Sequence, residues 1–324
     1  MNTKRISQTG IVCLAALCLQ LALPPSFFAQ AWVPEKGSGV VSSTYSNFYV
    51  RNHVVNSGIK RTDLGRIRTN VILTSIDYGI TDKLALIADL AYIASKWIGN
   101  PPGHGPNDTG SYHPTFQDAH LEVRYNAIRK SLVVTPFVGV IIPTHHYETR
   151  GHSAVGRGFH ELQLGVNVGR QLGRLLPNGY VQARYFYAIL ARFDNVKLNR
   201  SNGDCEVGWF ATKSLSVRFI TTMQKTHGGL ITPLEHDLDA HEFEFHDAIT
   251  RLNLIDLGGG VSFAVNRSFG IHAAYLANVY ARNAHAAGGF LAGFSWSFSR
   301  GLGLTSPSGS ASPRDLPTLV QASR

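Results

Sequence analysis

The strongest constraint on this chain is a period-two alternation of apolar and polar residues, repeated many times along its length. Phe290, Ala292, Phe294, Trp296 and Phe298 fall on one face of a segment; Gly293, Ser295 and Ser297 fall on the other, with Leu291 the exception. Leu215, Val217, Phe219, Thr221 and Met223 alternate in the same way with Ser216, Arg218, Ile220, Thr222 and Gln224. Ala119, Leu121, Val123 and Tyr125 alternate with Asp118, His120, Glu122 and Arg124, and Leu162, Leu164, Val166 and Val168 with Glu161, Gln163, Gly165, Asn167 and Gly169. Successive side chains of a strand point to opposite sides, so each run specifies a strand with one apolar face.

A soluble β-sandwich or a lipocalin-like barrel also alternates, so the character of the polar face decides. Surface strands of soluble proteins favour Lys, Glu and Thr, whereas these carry Gly, Ser, Asn and opposed charges. Such residues suit a crowded, partly hydrated lumen, with the apolar face turned to lipid. The overall figures, 44% hydrophobic and 16% charged residues with a mean hydropathy of −0.03, are then the average of two unlike faces. Segments near 38–51, 65–79, 83–98, 116–127, 131–143, 159–171, 179–191, 204–211, 213–225, 251–265, 268–281 and 289–299 read as strands. Connections between them alternate short and long, the long ones near 52–64, 99–115, 144–158, 192–203 and 226–250. The fold class expected is all-β: a transmembrane antiparallel up-and-down β-barrel of about 12 strands, with short periplasmic turns and long external loops. Closure is required, because an open sheet edge in hydrocarbon leaves backbone groups unsatisfied.

The N-terminus sets the compartment. Lys4 and Arg5 precede an apolar stretch from Ile11 to Leu23, and Ala29-Gln30-Ala31 supplies a small-x-small cleavage pattern. Residues 1–31 therefore read as a secretory signal peptide, 32–299 as the barrel, and the Ser-, Pro- and Gly-rich 300–324 as a flexible tail. Losing the signal removes Lys4 and Arg5, lowering the net charge from +9 to +7. It also removes Cys13 and Cys18, leaving Cys205 alone, so no intramolecular disulfide staples the mature chain. Export and singly dispersed basic residues argue against nucleic acid as a partner and for an anionic envelope surface of outer-membrane lipid and lipopolysaccharide.

With these segments in place, the chain resembles the outer-membrane barrels of the phenol meta-pathway degradation-like family. Asp77-Tyr78-Gly79-Ile80-Thr81-Asp82-Lys83 is similar to that family's strand–turn–strand signature; Gly139-Val140-Ile141-Ile142-Pro143-Thr144 and Gly165 to Arg170 are similar to further recurring pieces. The resemblance implies an outer-membrane channel for hydrophobic or aromatic compounds, without enzymatic activity, and transfers no site residues. Such barrels end on an aromatic residue read by the barrel-assembly machinery. Phe298 takes that position, although a tail follows it.

Arg68, Asp118, His120, Glu122, Arg124, Glu161, Arg184, Arg218 and Asp256 all fall on the polar side of their segments. A mid-plane Arg facing lipid costs about 2–4 kcal/mol, so these residues are expected to line the lumen. There they either fill the barrel structurally or make a narrow, selective channel. The stretch from Glu235 to Asp247 concentrates acids and histidines, but its spacing defines no metal site. Most aromatics near strand ends suit interfacial girdles, while Phe186 and Tyr280 are candidates for an inner route. Ser153 beside His152 raises a lipid-esterase reading, yet neighbours on a strand face opposite ways and the outer-membrane phospholipase context is missing. The expectation is passive entry of a small hydrophobic or aromatic solute, with no enzyme activity, cofactor or metal. The competing reading is a structural or adhesive barrel with a closed lumen.

Overall fold

The structure is a computed structural model describing residues 30–63, 65–99, 105–193, 196–231, 245 and 248–299. The tail at 300–324, most of the presumed signal peptide and all but one residue of the acidic, His-rich stretch 235–247 lie outside these. Fifteen strands form one antiparallel sheet. They are β1 (Gly39–Val54), β2 (Lys60–Arg61), β3 (Arg66–Gly79), β4 (Leu84–Ile98), β5 (His113–Phe116), β6 (Ala119–Tyr125), β7 (Ile128–Arg129) and β8 (Leu132–Ile142). The series continues with β9 (Glu161–Gln171), β10 (Gly179–Leu190), β11 (Asn199–Phe210), β12 (Leu215–His227), β13 (Asn253–Ala264), β14 (Phe269–Arg282) and β15 (Ala284–Phe298). Twelve of them make a closed barrel, and the short β2, β5 and β7 pair at its rims. Closure comes from β1 against β15, in register from Gly39 opposite Phe298 to Val54 opposite Ala284.

Three of the tight turns share one chemistry. Thr81 Oγ1 accepts from the backbone N–H groups of Lys83 and Leu84 at 3.2 and 3.0 Å. Thr212 Oγ1 does the same for Ser214 and Leu215, and Asn266 Oδ1 for Ser268 and Phe269. A side-chain oxygen that bonds its own backbone two and three residues on reverses the chain cheaply, which is why these turns stay short.

The outer face is apolar. Ile72, Ile76, Leu90, Leu121, Val138, Leu164, Phe219, Phe263, Tyr275, Phe290, Phe294 and Trp296 all stand exposed around the barrel. A continuous belt of this kind far exceeds the apolar patches of soluble monomers and is the lipid-facing surface of a transmembrane barrel.

Three boundaries differ from expectation. β11 begins at Asn199 rather than 204, β15 at Ala284 rather than 289, and β1 continues to Val54. The segment expected at 116–127 is β6, over Ala119–Tyr125, and β5, mostly within the expected loop 99–115, continues the same antiparallel pairing along β4 after a break at 117–118. Alternation reports only the part of a strand that faces lipid. Beyond the belt, backbone pairing continues (Asn199 opposite His227, Val54 opposite Ala284) while both faces turn polar or small, and the pattern disappears. The expected loop 192–203 is shortened accordingly.

Candidate functional site

The lumen has two unlike walls. One is built on β6, β9, β10, β11, β12 and β13, where inward positions carry charge. Glu122 is fully buried at its centre; Arg184, from β10, donates from Nη1 to Glu122 Oε1 at 3.1 Å and pairs a second time through Nη2. On the other side of Glu122, Arg124 lies with Nε 4.0 Å from Glu122 Oε1 and forms an ion pair with Asp77 of β3. His120 places Nδ1 2.7 Å from Asp89 Oδ2 and Nε2 3.7 Å from Glu122 Oε2. Ser75 donates to the same Asp89. Carboxylates, guanidiniums and an imidazole from β3, β4, β6 and β10 thus form one chain across the lumen.

A second group lies farther along this wall. Arg200 pairs with Glu161, which also accepts from Gln163 Nε2 at 2.7 Å. Arg218 Nη1 is 3.8 Å from Glu206 Oε2, and Glu206 accepts from Tyr180 Oη at 2.5 Å. Asp256 accepts from Asn278 Nδ2 at 3.0 Å and is fully buried. Each charged residue of this group has an opposite charge or a hydrogen-bond donor beside it, which offsets part of the cost of burying it.

The other wall is apolar and lies on β1, β3, β4, β14 and β15. Phe48, Ala274, Leu276 and Leu291 cluster there with Ile220 of β12. Val71, Leu73, Ala91 and Ile93 form a second patch. The expectation that the inside is Gly, Ser and charge alone is therefore corrected: Leu291 and Ile220, set on the polar side by parity, belong to a real apolar stripe. Phe137 and Phe186 bring aromatic character to the charged wall as well. The Arg184 guanidinium lies 3.8 Å from the Phe137 ring centroid and 5.1 Å from that of Phe186, and the two rings meet edge to face at 6.0 Å. Gly165 makes that approach possible, since a Cβ there would sit 2.5 Å from both Phe137 and Phe186.

Chain segments enter the lumen at both ends. At the short-turn end, residues 30–33 enter the barrel. The Ala31 carbonyl accepts from Thr135 Oγ1 at 2.6 Å and Asn126 Nδ2 at 3.3 Å, Arg124 Nη1 donates to the Gln30 carbonyl at 2.9 Å, and Trp32 meets Tyr180 edge-on at 6.3 Å. Gly169 leaves room for this segment, for a Cβ there would lie 2.5 Å from that of Ala31. At the long-loop end, the loop 143–160 folds inward and packs Tyr147 and Val155 on the apolar patch of Val71, Leu73 and Ile93. Tyr147 donates to Asp118 Oδ1 at 2.6 Å, while burial raises the Asp118 carboxyl above its ordinary range. Glu148 is held down at about 2, chiefly by its hydrogen bond from Arg150.

Among the residues expected to line the lumen, Asp118 stands at its long-loop rim. His120, Glu122, Arg124, Glu161, Arg184, Arg218 and Asp256 are inward, and most of them join the two networks above. Arg68 is the departure. It is exposed on the outer side of β3, opposite in parity to the buried Ile67 and Thr69, with its guanidinium 5.3 Å from the Tyr49 ring centroid. Near the end of its strand an outward Arg reaches the polar interface instead of hydrocarbon, so the lipid penalty that argued for an inward position does not apply. Tyr280 is likewise exposed, with Arg282 4.8 Å over its ring. Ser153 is fully buried, its Oγ 2.7 Å from Asp108 Oδ1 and 2.9 Å from the Asn107 carbonyl oxygen with one proton to donate between them, which ties the hydroxyl into the loop as an anchor.

Sequence reasoning missed Asp77, Asp89, Arg200 and Glu206, the partners that complete the networks. It also missed a cluster of His53, His152 and His285, in which one ring nitrogen from each lies within 4.8 Å of the other two. Two of these histidines sit on strand ends beyond the alternating region, where no pattern marks them.

No protein-family model matches the chain, and no curated protein is similar to it in sequence. Its fold is that of a closed transmembrane β-barrel with a charged inner wall. Among solved structures it is similar to an outer-membrane channel from Pseudomonas putida F1, at 11% identity and a TM-score of 0.66, covering 85% of this chain and all of that one. At that identity the likeness establishes the fold. The translocator domain of the autotransporter NalP from Neisseria meningitidis (11% identity, 82% of this chain and 90% of that one, TM-score 0.47) adds nothing further. The same holds for a mutant of the monoaromatic hydrocarbon channel TodX (9% identity, 83% and 92%, TM-score 0.42).

Proposed function

We propose that the protein is a channel of the bacterial outer membrane that passively admits small hydrophobic or aromatic solutes. The observation that carries this reading is the meeting of two unlike walls in one lumen. A solute with an apolar body and one polar group could pass between Phe48, Leu276 and Leu291 on one side and Arg184, Glu122 and His120 on the other once these packed side chains part. Phe137 and Phe186, flanking the Arg184 guanidinium, add flat surfaces on which an aromatic ring can stack. The likeness to an outer-membrane channel supports the same reading. In this setting the short turns are periplasmic and the long loops external, residues 1–31 are the export signal, and the terminal strand ending at Phe298 is what the assembly machinery reads. The apolar belt contacts lipid, and the external rim contacts lipopolysaccharide.

The test is reconstitution of folded, heat-modifiable protein into liposomes and planar bilayers. Flux of a small phenol above protein-free vesicles, with a sugar of similar size excluded, is the expected result. Absence of both solute flux and single-channel steps would falsify the channel. A closed structural or adhesive barrel has one observation in its favour, namely that the loop 143–160 packs into one mouth and Trp32 against Tyr180 at the other. Deleting 144–157 separates the readings: a channel gated by this loop gains conductance, whereas a barrel closed along its whole length stays silent.

A further inference from the structure

We propose that His53, His152 and His285 form an external binding site for a divalent transition metal of the zinc class, which fastens the loop 143–160 to the seam where the barrel closes. The three residues come from separate parts of the chain. His53 ends β1, His285 begins β15, and the two face each other in the closing register. His152 reaches them from the loop. The ring centroids are 4.5 Å apart for His53 and His285, 5.4 Å for His53 and His152, and 5.7 Å for His152 and His285.

Three features make this a site and not a chance meeting. The position of His152 is fixed from behind: Asp108, itself buried, accepts from the backbone N–H of His152 and of Ser153, both at 2.9 Å, and from the Ser153 hydroxyl. Trp97 stacks flat on the His152 ring at 4.8 Å and meets His53 edge-on at 5.9 Å, walling the cluster on its inner side. His53 is buried, and the other two are half-buried, so one side remains open for a metal and its remaining water ligand.

The ligand chemistry selects the ion. An all-imidazole set suits Zn²⁺, Cu²⁺ or Ni²⁺ and disfavours the oxygen-seeking Ca²⁺ and Mg²⁺. Metal–nitrogen bonds of about 2.0–2.1 Å place tetrahedral nitrogens about 3.3 Å apart. One nitrogen from each ring lies within 4.8 Å of the others here, so a bound metal would draw them closer and tighten the loop against β1 and β15. None of the three histidines belongs to the charged networks of the lumen, so metal binding can be measured without reference to conduction.

The experiment titrates Zn²⁺ into the folded, detergent-solubilised full-length protein against a chromophoric chelator, and repeats the titration with Co²⁺ to read its visible ligand-field bands. The expected result is one tight site per chain, weakened at least about tenfold in His152→Ala and in His285→Ala and unchanged in His146→Ala, a histidine of the same loop. Zn²⁺ should also slow tryptic cleavage at Arg150 and Arg157 in the natural protein and not in His152→Ala. His152 is a loop residue, so its variant tests the idea even if His53→Ala fails to fold. Equal Zn²⁺ affinity in the natural protein and in a variant lacking all three imidazoles overturns the site, leaving a packed aromatic cluster around Trp97. Tight binding without protection of the loop overturns the fastening role.

Discussion

The charged wall on β6, β9 and β10 and the apolar wall on β1, β4 and β15 enclose the same lumen, yet they are held by different physics. On the apolar wall, Leu291, Ile93 and Leu276 are buried by contact alone, so each contributes in proportion to its own area and can be altered singly. On the charged wall, Glu122 is shared by Arg184, His120 and Arg124, so no member can change without stranding another. A contact stabilises locally; a network of buried charges stabilises only when complete. The wall that gives the lumen its chemistry is therefore also the one least tolerant of substitution.

Removing the centre of the network should break this contrast most severely. Glu122→Ala leaves Arg184 and Arg124 facing one another across a buried gap, and a loss of about 3–5 kcal/mol in urea unfolding is expected. Glu122→Gln, which keeps the shape and part of the hydrogen bonding, should lose less. On the apolar wall, Leu291→Ala should lower stability by about 2–3 kcal/mol by the same measurement, with neighbouring variants adding independently. Equal losses at the two sites, or additive losses within the network, would sink the distinction.

Smaller effects sharpen it. Gly165→Ala forces a methyl between Phe137 and Phe186 and should destabilise by about 1–2 kcal/mol while reducing flux of aromatic solutes more than that of other solutes. Arg68→Ser, on the outer side, should change stability by no more than about 0.5 kcal/mol. The smallest effect is a pH dependence in the external loop. Glu148 is depressed to about 2 by Arg150, so its ion pair is complete above the ordinary Glu value of 4.5 and is lost as pH falls through about 2. Protection of residues 148–151 against hydrogen exchange, corrected for the intrinsic pH dependence of exchange, should therefore fall only below pH 4.5; lost protection between pH 7 and 5 would contradict the assignment.

What could be read from the sequence follows from which forces leave a periodic trace. Facing lipid on one side imposes strict alternation, so Phe290 to Trp296 and Val217 to Met223 announce both a strand and its orientation. His120, Glu122 and Arg124 could be assigned inward because hydrocarbon excludes them. Where strands rise past the belt that exclusion ends. Arg68 can then turn outward, Asn199 to Gly203 can pair without apolar residues, and His53 and His285 can meet unannounced. The apolar inner stripe was hidden for the opposite reason: Ile220 and Leu291 tolerate either side, so parity alone had to place them. Asp77 and Asp89 were legible only as lone acids in apolar strands, and nothing in their spacing names Arg124 and His120 as partners.

The closing register carries one further consequence. Gly39 pairs with Phe298, so the first wall of the cylinder cannot complete its hydrogen bonding until the final strand has arrived. Folding of this kind is dominated by contacts between distant parts of the chain and is slow. Until then β1 presents a long unpaired edge, able to zip onto the wrong neighbour or onto another copy. A nascent molecule truncated anywhere before Ala284 would keep that edge permanently open, which makes the last fifteen residues of the barrel its checkpoint for completeness.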